Sequence, residues 1–143
     1  MIDVNFHGKW SWERRQLFSQ AAEYFLSILL PKEYPYLCLD ITLMQSKGIS
    51  GWCTPYDKDY YNIEINKNRD IYTQLVTLAH ESVHCKQFYR GELGEKGGIT
   101  YWKKKPYYDP DIINNPWEIE AYMKEQILLE QFVNLGYHTI IEI

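Results

Sequence analysis

Apolar residues recur at helical spacing in two long stretches of this chain, and between them they alternate with polar ones. Leu17, Phe18, Ala21, Phe25 and Leu29 form one stripe. Their spacing predicts a helix from about Trp12 to Leu30, capped by Ser11 and stopped by Pro31. In the second stretch Ile71, Leu75 and Leu78 share one stripe and Val76, Ala79 and Val83 the next. This predicts a helix from Ile71 to about Arg90, closed by Gly91. A third helix is marked by its ends: Asn115 as N-cap, Pro116 at the first helical position and Gly136 as C-cap, with the helix reaching about Leu135.

Between the first two helices the pattern becomes strand-like. Leu37 to Met44 is rich in β-formers, Ser46-Lys47-Gly48 reads as a turn, and Ile49 to Thr54 follows. After a polar loop, Tyr61, Ile63 and Ile65 alternate with Asn62 and Glu64 within Tyr60 to Ile65. Three short strands in hairpin order predict a small antiparallel sheet. Gly91 to Asn115, with four glycines, two prolines and no sustained period, reads as a long loop of the kind that is functional or mobile. Tyr137 to Ile143 reads as a short strand. The fold class expected is α+β, one domain over residues 1–143.

Composition narrows the partners. A net charge of −4 and a pI near 5.5 supply no field that would draw the chain to nucleic acid or an anionic membrane. The one basic run, Lys103-Lys104-Lys105, reads as a solvated loop. Cys38, Cys53 and Cys85 are odd in number and lack CxxC spacing, so free thiols in a reducing compartment are expected. Met1 to Trp10 lacks the features of a signal peptide, and no apolar run approaches a membrane span of roughly 20 residues. The expected location is the cytoplasm. Aromatics make up 16% of the chain, with 13 Tyr and 5 Trp; such rings can pack a core or line a groove.

The chemistry lies in the second helix. His80-Glu81-Ser82-Val83-His84 is an HExxH sequence. Residues four apart share a helix face, so both imidazoles can bind one Zn²⁺ while Glu81 reaches a metal-bound water as general base. A catalytic zinc takes a third protein ligand. Downstream candidates are Glu92, Glu95, Asp109, Asp111, Glu118, Glu120 and His138. Glu118 ranks first, because a small residue, Ala121, follows three positions later on its own face and would let two helices approach closely. Glu118 also stands where a capping-box Glu belongs; a cap role would leave Glu120, then His138, to complete the site. His7 is too far upstream to matter. Val83 and Ala79 are expected in the core, Cys85 as a small buried hydrophobe, and Gln87 either beside His84 or on the surface.

The string Thr77 to Gln87, followed by Pro116-Trp117-Glu118-Ile119-Glu120-Ala121, resembles the short HExxH metallopeptidases of phages and bacteria, grouped as SprT-like or minimal zincin domains. Glu, two residues, then Ala is similar to the third-ligand helix of gluzincin peptidases. The resemblance covers about Ile63 to Glu125. It implies a minimal zincin-like fold with an N-terminal helix, a central HExxH helix and a C-terminal ligand-bearing helix. It also implies His80, His84 and Glu118 as zinc ligands, Glu81 as base, and Tyr61 to Ile65 as the edge strand to which a peptide adds. Three features depart from that pattern. No His lies between His84 and His138, the basic DNA-binding additions of SprT proteases are missing, and Tyr122 stands where gluzincins place an Asp that orients a zinc-bound His.

The reaction expected is hydrolysis of peptide bonds by metal-activated water, in a peptide or protein substrate. An oxyanion donor would come from Tyr101, Tyr107, Tyr108 or Tyr122, with the loop pair Tyr107 and Tyr108 preferred. The rival readings are a zinc-binding regulatory or structural domain that cleaves nothing, and a metallo-amidase acting on a non-protein amide.

Overall fold

The computed structural model describes residues 2–32, 36–108 and 114–137. Ile2, Val4 and Phe6 alternate with exposed Asp3, Asn5 and His7 in a first strand, β1 (Ile2–His7), which the sequence analysis did not anticipate. Helix α1 (Trp12–Leu29) follows, its N-terminus closed by the Ser11 hydroxyl accepting from the Arg14 amide at 3.2 Å. It buries Leu17, Phe18, Ala21, Ala22, Phe25, Leu26 and Leu29. Three further strands are β2 (Leu37–Met44), β3 (Gly51–Asp57) and β4 (Tyr60–Asn66).

Their order is β1-β2-β4-β3. β1 pairs with β2 and β2 with β4 in parallel, and only β3 and β4 are antiparallel. The sheet is therefore mixed, which corrects the expectation of a small antiparallel one. The cause is topological. Parallel neighbours need a crossover; α1 supplies it between β1 and β2, and β3 supplies it by running back outside β4. β4 is thus an interior strand and, among the described residues, β3 is an edge, which corrects the expectation of Tyr61 to Ile65 as the edge strand.

Helix α2 (Ile71–Tyr89) is capped by Asp70, whose carboxylate accepts from the Thr73 amide at 2.7 Å. Residues 91–115, expected as a loop, carry a second sheet: β5 (Leu93–Lys96), β6 (Ile99–Trp102) and β7 (Lys105–Tyr107) in antiparallel order. The β5–β6 turn has Gly97 and Gly98 at φ 60° and 78°, as a two-residue hairpin requires. The β6–β7 turn places Lys103 and Lys104 at φ 49° and 71°, the same geometry without glycine.

Helix α3 (Pro116–Phe132) starts at Asn115 as expected and passes into a wider turn, Val133–Tyr137, in which Gly136 adopts φ 104°. The strand expected at the C-terminus falls largely on residues 138–143, outside the described residues. One buried cluster joins the helices to the sheet through Leu39, Ile41, Ile63 and Ile65 from the strands and Phe25, Leu78, Val83 and Phe132 from the helices. Among the described residues no helix is long and apolar enough to cross a membrane.

Candidate metal centre

His80 and His84 project from one face of α2 with ring centroids 5.0 Å apart and planes at 80°. α3 approaches that face because Ala121 and Ala79, both fully buried, keep the helix contact thin. Glu118, in the first turn of α3, turns its carboxylate to both rings. Its Oε1 lies 2.8 Å from His80 Nε2 and 3.0 Å from His84 Nε2. Cap and carboxylate roles do not compete here. The Asn115 side chain accepts from the backbone amide of Glu118 at 3.0 Å, and the Glu118 side chain is left to face the imidazoles. The candidate ligand atoms of His80, His84 and Glu118 all lie within 4.8 Å of one another.

The far side of each ring determines which protons it carries. The Gln87 amide nitrogen donates to the Trp117 carbonyl at 2.9 Å and to Glu120 at 2.8 Å. Its oxygen must then face His84 Nδ1, 2.7 Å away, so Nδ1 carries a hydrogen and Nε2 of the neutral ring presents a lone pair. His80 Nδ1 faces an acceptor as well, Glu125 Oε1 at 3.4 Å. Two imidazole nitrogens and a carboxylate oxygen thus converge, a donor set that suits a cation. Burial pulls the His80 pKa down, but hydrogen bonds to Glu118 and Glu125 outweigh it and hold the ring at about 10. Burial would raise Glu118, and hydrogen bonds from His80 and His84 overturn that, leaving it at about 2. Two imidazoles and a carboxylate beside a cleft are residue types that zinc takes as ligands.

Glu81 is 6% exposed, and burial pushes its carboxyl above the ordinary range despite the opposing influence of His84 and His80. It borders a cleft of about 570 Å³ between β3, α2 and α3 that also contains His80, His84, Glu118 and Tyr122. Gly51 on β3 lies so close to α2 that a Cβ there would strike the Thr77 methyl and come within 2.8 Å of the Glu64 carbonyl and 3.5 Å of Glu81 Cγ. The edge strand can press against the base of the cleft only because residue 51 has no side chain.

Other candidates lie elsewhere. The Glu120 carboxylate is drawn away by Lys86 at 2.8 Å and Lys124 at 2.7 Å, and Glu92 pairs with the same Lys86 at 2.7 Å. Glu95 borders the cleft without joining the cluster. His7 sits 3.6 Å from Asp40 on the sheet. Asp109, Asp111 and His138 fall outside the described residues. The preferred tyrosine pair does not reach the cleft: Tyr107 packs edge-on against Trp117 at 5.3 Å, and Tyr108 is 77% exposed. Tyr122 does border the cleft, its ring 4.8 Å from that of His80. Cys53 and Cys85 are free and buried, their sulfurs 3.5 Å apart.

Sequence reasoning passed over Glu125 and Lys86. Glu125 lies two turns beyond Glu118 on the same helix face, a spacing that marks it in retrospect. Lys86, 4% exposed, gives no local signal, because its burial depends on carboxylates from two other segments. Comparison with protein-family models, curated proteins and solved structures finds no match to this chain.

Proposed function

We propose that this protein is a zinc-dependent metallopeptidase of the HExxH type, with His80, His84 and Glu118 as ligands and Glu81 as general base. The observation that carries the proposal is the convergence of His80 Nε2, His84 Nε2 and Glu118 Oε1 beside a buried carboxylate in an open cleft. A purely structural zinc would fill its fourth position with a protein group and would need no base at residue 81.

When bound, zinc lowers the pKa of a water toward about 7 and polarises the scissile carbonyl. The remaining work falls to side chains. Glu81, with its raised proton affinity, takes the water proton and passes it to the departing amine. Tyr122, at the cleft wall beside His80, donates its hydroxyl to the carbonyl oxygen as negative charge develops there. β3, an edge strand among the described residues, receives an extended peptide by backbone pairing.

Glu81→Gln tests the assignment. The variant is expected to bind zinc as the parent does and to cleave an unfolded protein substrate at least ~100-fold more slowly. Cleavage at the parental rate would remove Glu81 from the mechanism.

A further inference from the structure

The two imidazoles are braced by unlike groups. Behind His84 stands a neutral amide, Gln87, fixed in orientation by Trp117 and Glu120. Behind His80 stands a carboxylate, Glu125, with Oε1 3.4 Å from Nδ1 and with only 12% and 13% of the two side chains exposed. Glu125 follows Glu118 by seven residues, so one face of α3 supplies carboxylates to both nitrogens of the His80 ring.

We propose that Glu125 is the positioning residue of the metal centre, and the proposal rests on the zinc reading above. Its carboxylate accepts the Nδ1–H of His80, holds Nε2 toward Glu118, and by its charge makes the ring a stronger donor to a divalent cation. Tyr122 does not do this; it sets its ring 4.8 Å from the His80 ring. At 3.4 Å the Glu125 contact is longer than the usual range of about 2.7–3.2 Å.

Charge balance points the same way. Glu81, Glu118 and Glu125 stand by the two imidazoles and Glu95 borders the same cleft, with no Lys or Arg among the described residues that line it.

The test compares zinc affinity in the parent, Glu125→Ala, Glu125→Gln and Glu130→Ala, by competition with a chromogenic chelator. Glu130 is an exposed carboxylate on the same helix. Melting of each metal-free form is followed alongside. Glu125→Ala is expected to weaken zinc binding about 10- to 100-fold. Glu125→Gln falls between, because its amide oxygen still accepts the Nδ1–H, and Glu130→Ala binds as the parent does. In nitrogen NMR of the histidines, Glu125→Gln is expected to shift His80 Nδ1 and leave His84 Nδ1 in place. Parental affinity in both Glu125 variants overturns the proposal, as does a loss of affinity that only follows a loss of metal-free stability. A parent chain that binds no zinc at all overturns the zinc reading itself.

Discussion

At His80 and Glu118 the contact between ring and carboxylate displaces the two pKa values in opposite directions. The His80 pKa stands at about 10 and that of Glu118 at about 2, against ordinary values near 6.5 and 4.3. Their signs differ in consequence. The raised His80 value stabilises the metal-free fold fully below about pH 6.5, and that contribution is lost as pH rises toward about 10. The lowered Glu118 value stabilises it above about pH 4.3, and that contribution is lost as pH falls toward about 2. Zinc must displace the proton. Its affinity is therefore expected to rise about tenfold for each pH unit between about 7 and 9, with roughly one proton released per ion, as read by calorimetry in buffers of different ionisation enthalpy. Binding that is independent of pH would contradict the assignment of His80. The convergence of His80, His84 and Glu118 was legible because HExxH spacing and the Glu-x-x-Ala run are local. Glu125, Gln87 and Lys86 depend on where α3 docks, which no local pattern states.

Elements divide along the same line. α1, α2 and α3 were legible within a few residues, because Ser11, Asp70 and Asn115 cap stretches with sustained periodicity or clear end signals. β1 has only Ile2, Val4 and Phe6 to carry its alternation, and its partner β2 begins some thirty residues later, so nothing nearby reports the pairing. β5, β6 and β7 are four, four and three residues long, too short to show a period. The β6–β7 turn hides itself further, since Lys103 and Lys104 carry no turn signal yet take left-handed backbone. That conformation costs an ordinary residue roughly 1–2 kcal/mol. The double substitution Lys103→Asn with Lys104→Gly introduces the residue pair that such a turn favours, and it is expected to stabilise the protein by about 1 kcal/mol in chemical unfolding. A less stable double variant would mean that the lysine side chains have a compensating role.

On the scale of the whole molecule, β3 and α3 form the walls of the cleft and α2 its floor. α+β character was legible from the order of patterns, whereas the mixed sheet was not. Hairpin order on paper takes β2, β3 and β4 as successive neighbours, and only the insertion of β4 between β2 and β3 puts β3 at the edge, against α2 at Gly51. Strand placement thus determines which backbone borders the cleft beside the imidazole pair. Ligands from α2 and α3 tie the two helices together, so a bound ion is expected to stabilise the entire fold by about 2.7 kcal/mol at a free concentration about 100 times its dissociation constant. The central claim is tested most directly by zinc content after equilibrium dialysis, measured by elemental analysis on the parent and on Glu118→Ala. The account predicts one zinc per parent chain and a clear deficit in the variant at the same free zinc; a parent without zinc, or a variant that retains it fully, would contradict it.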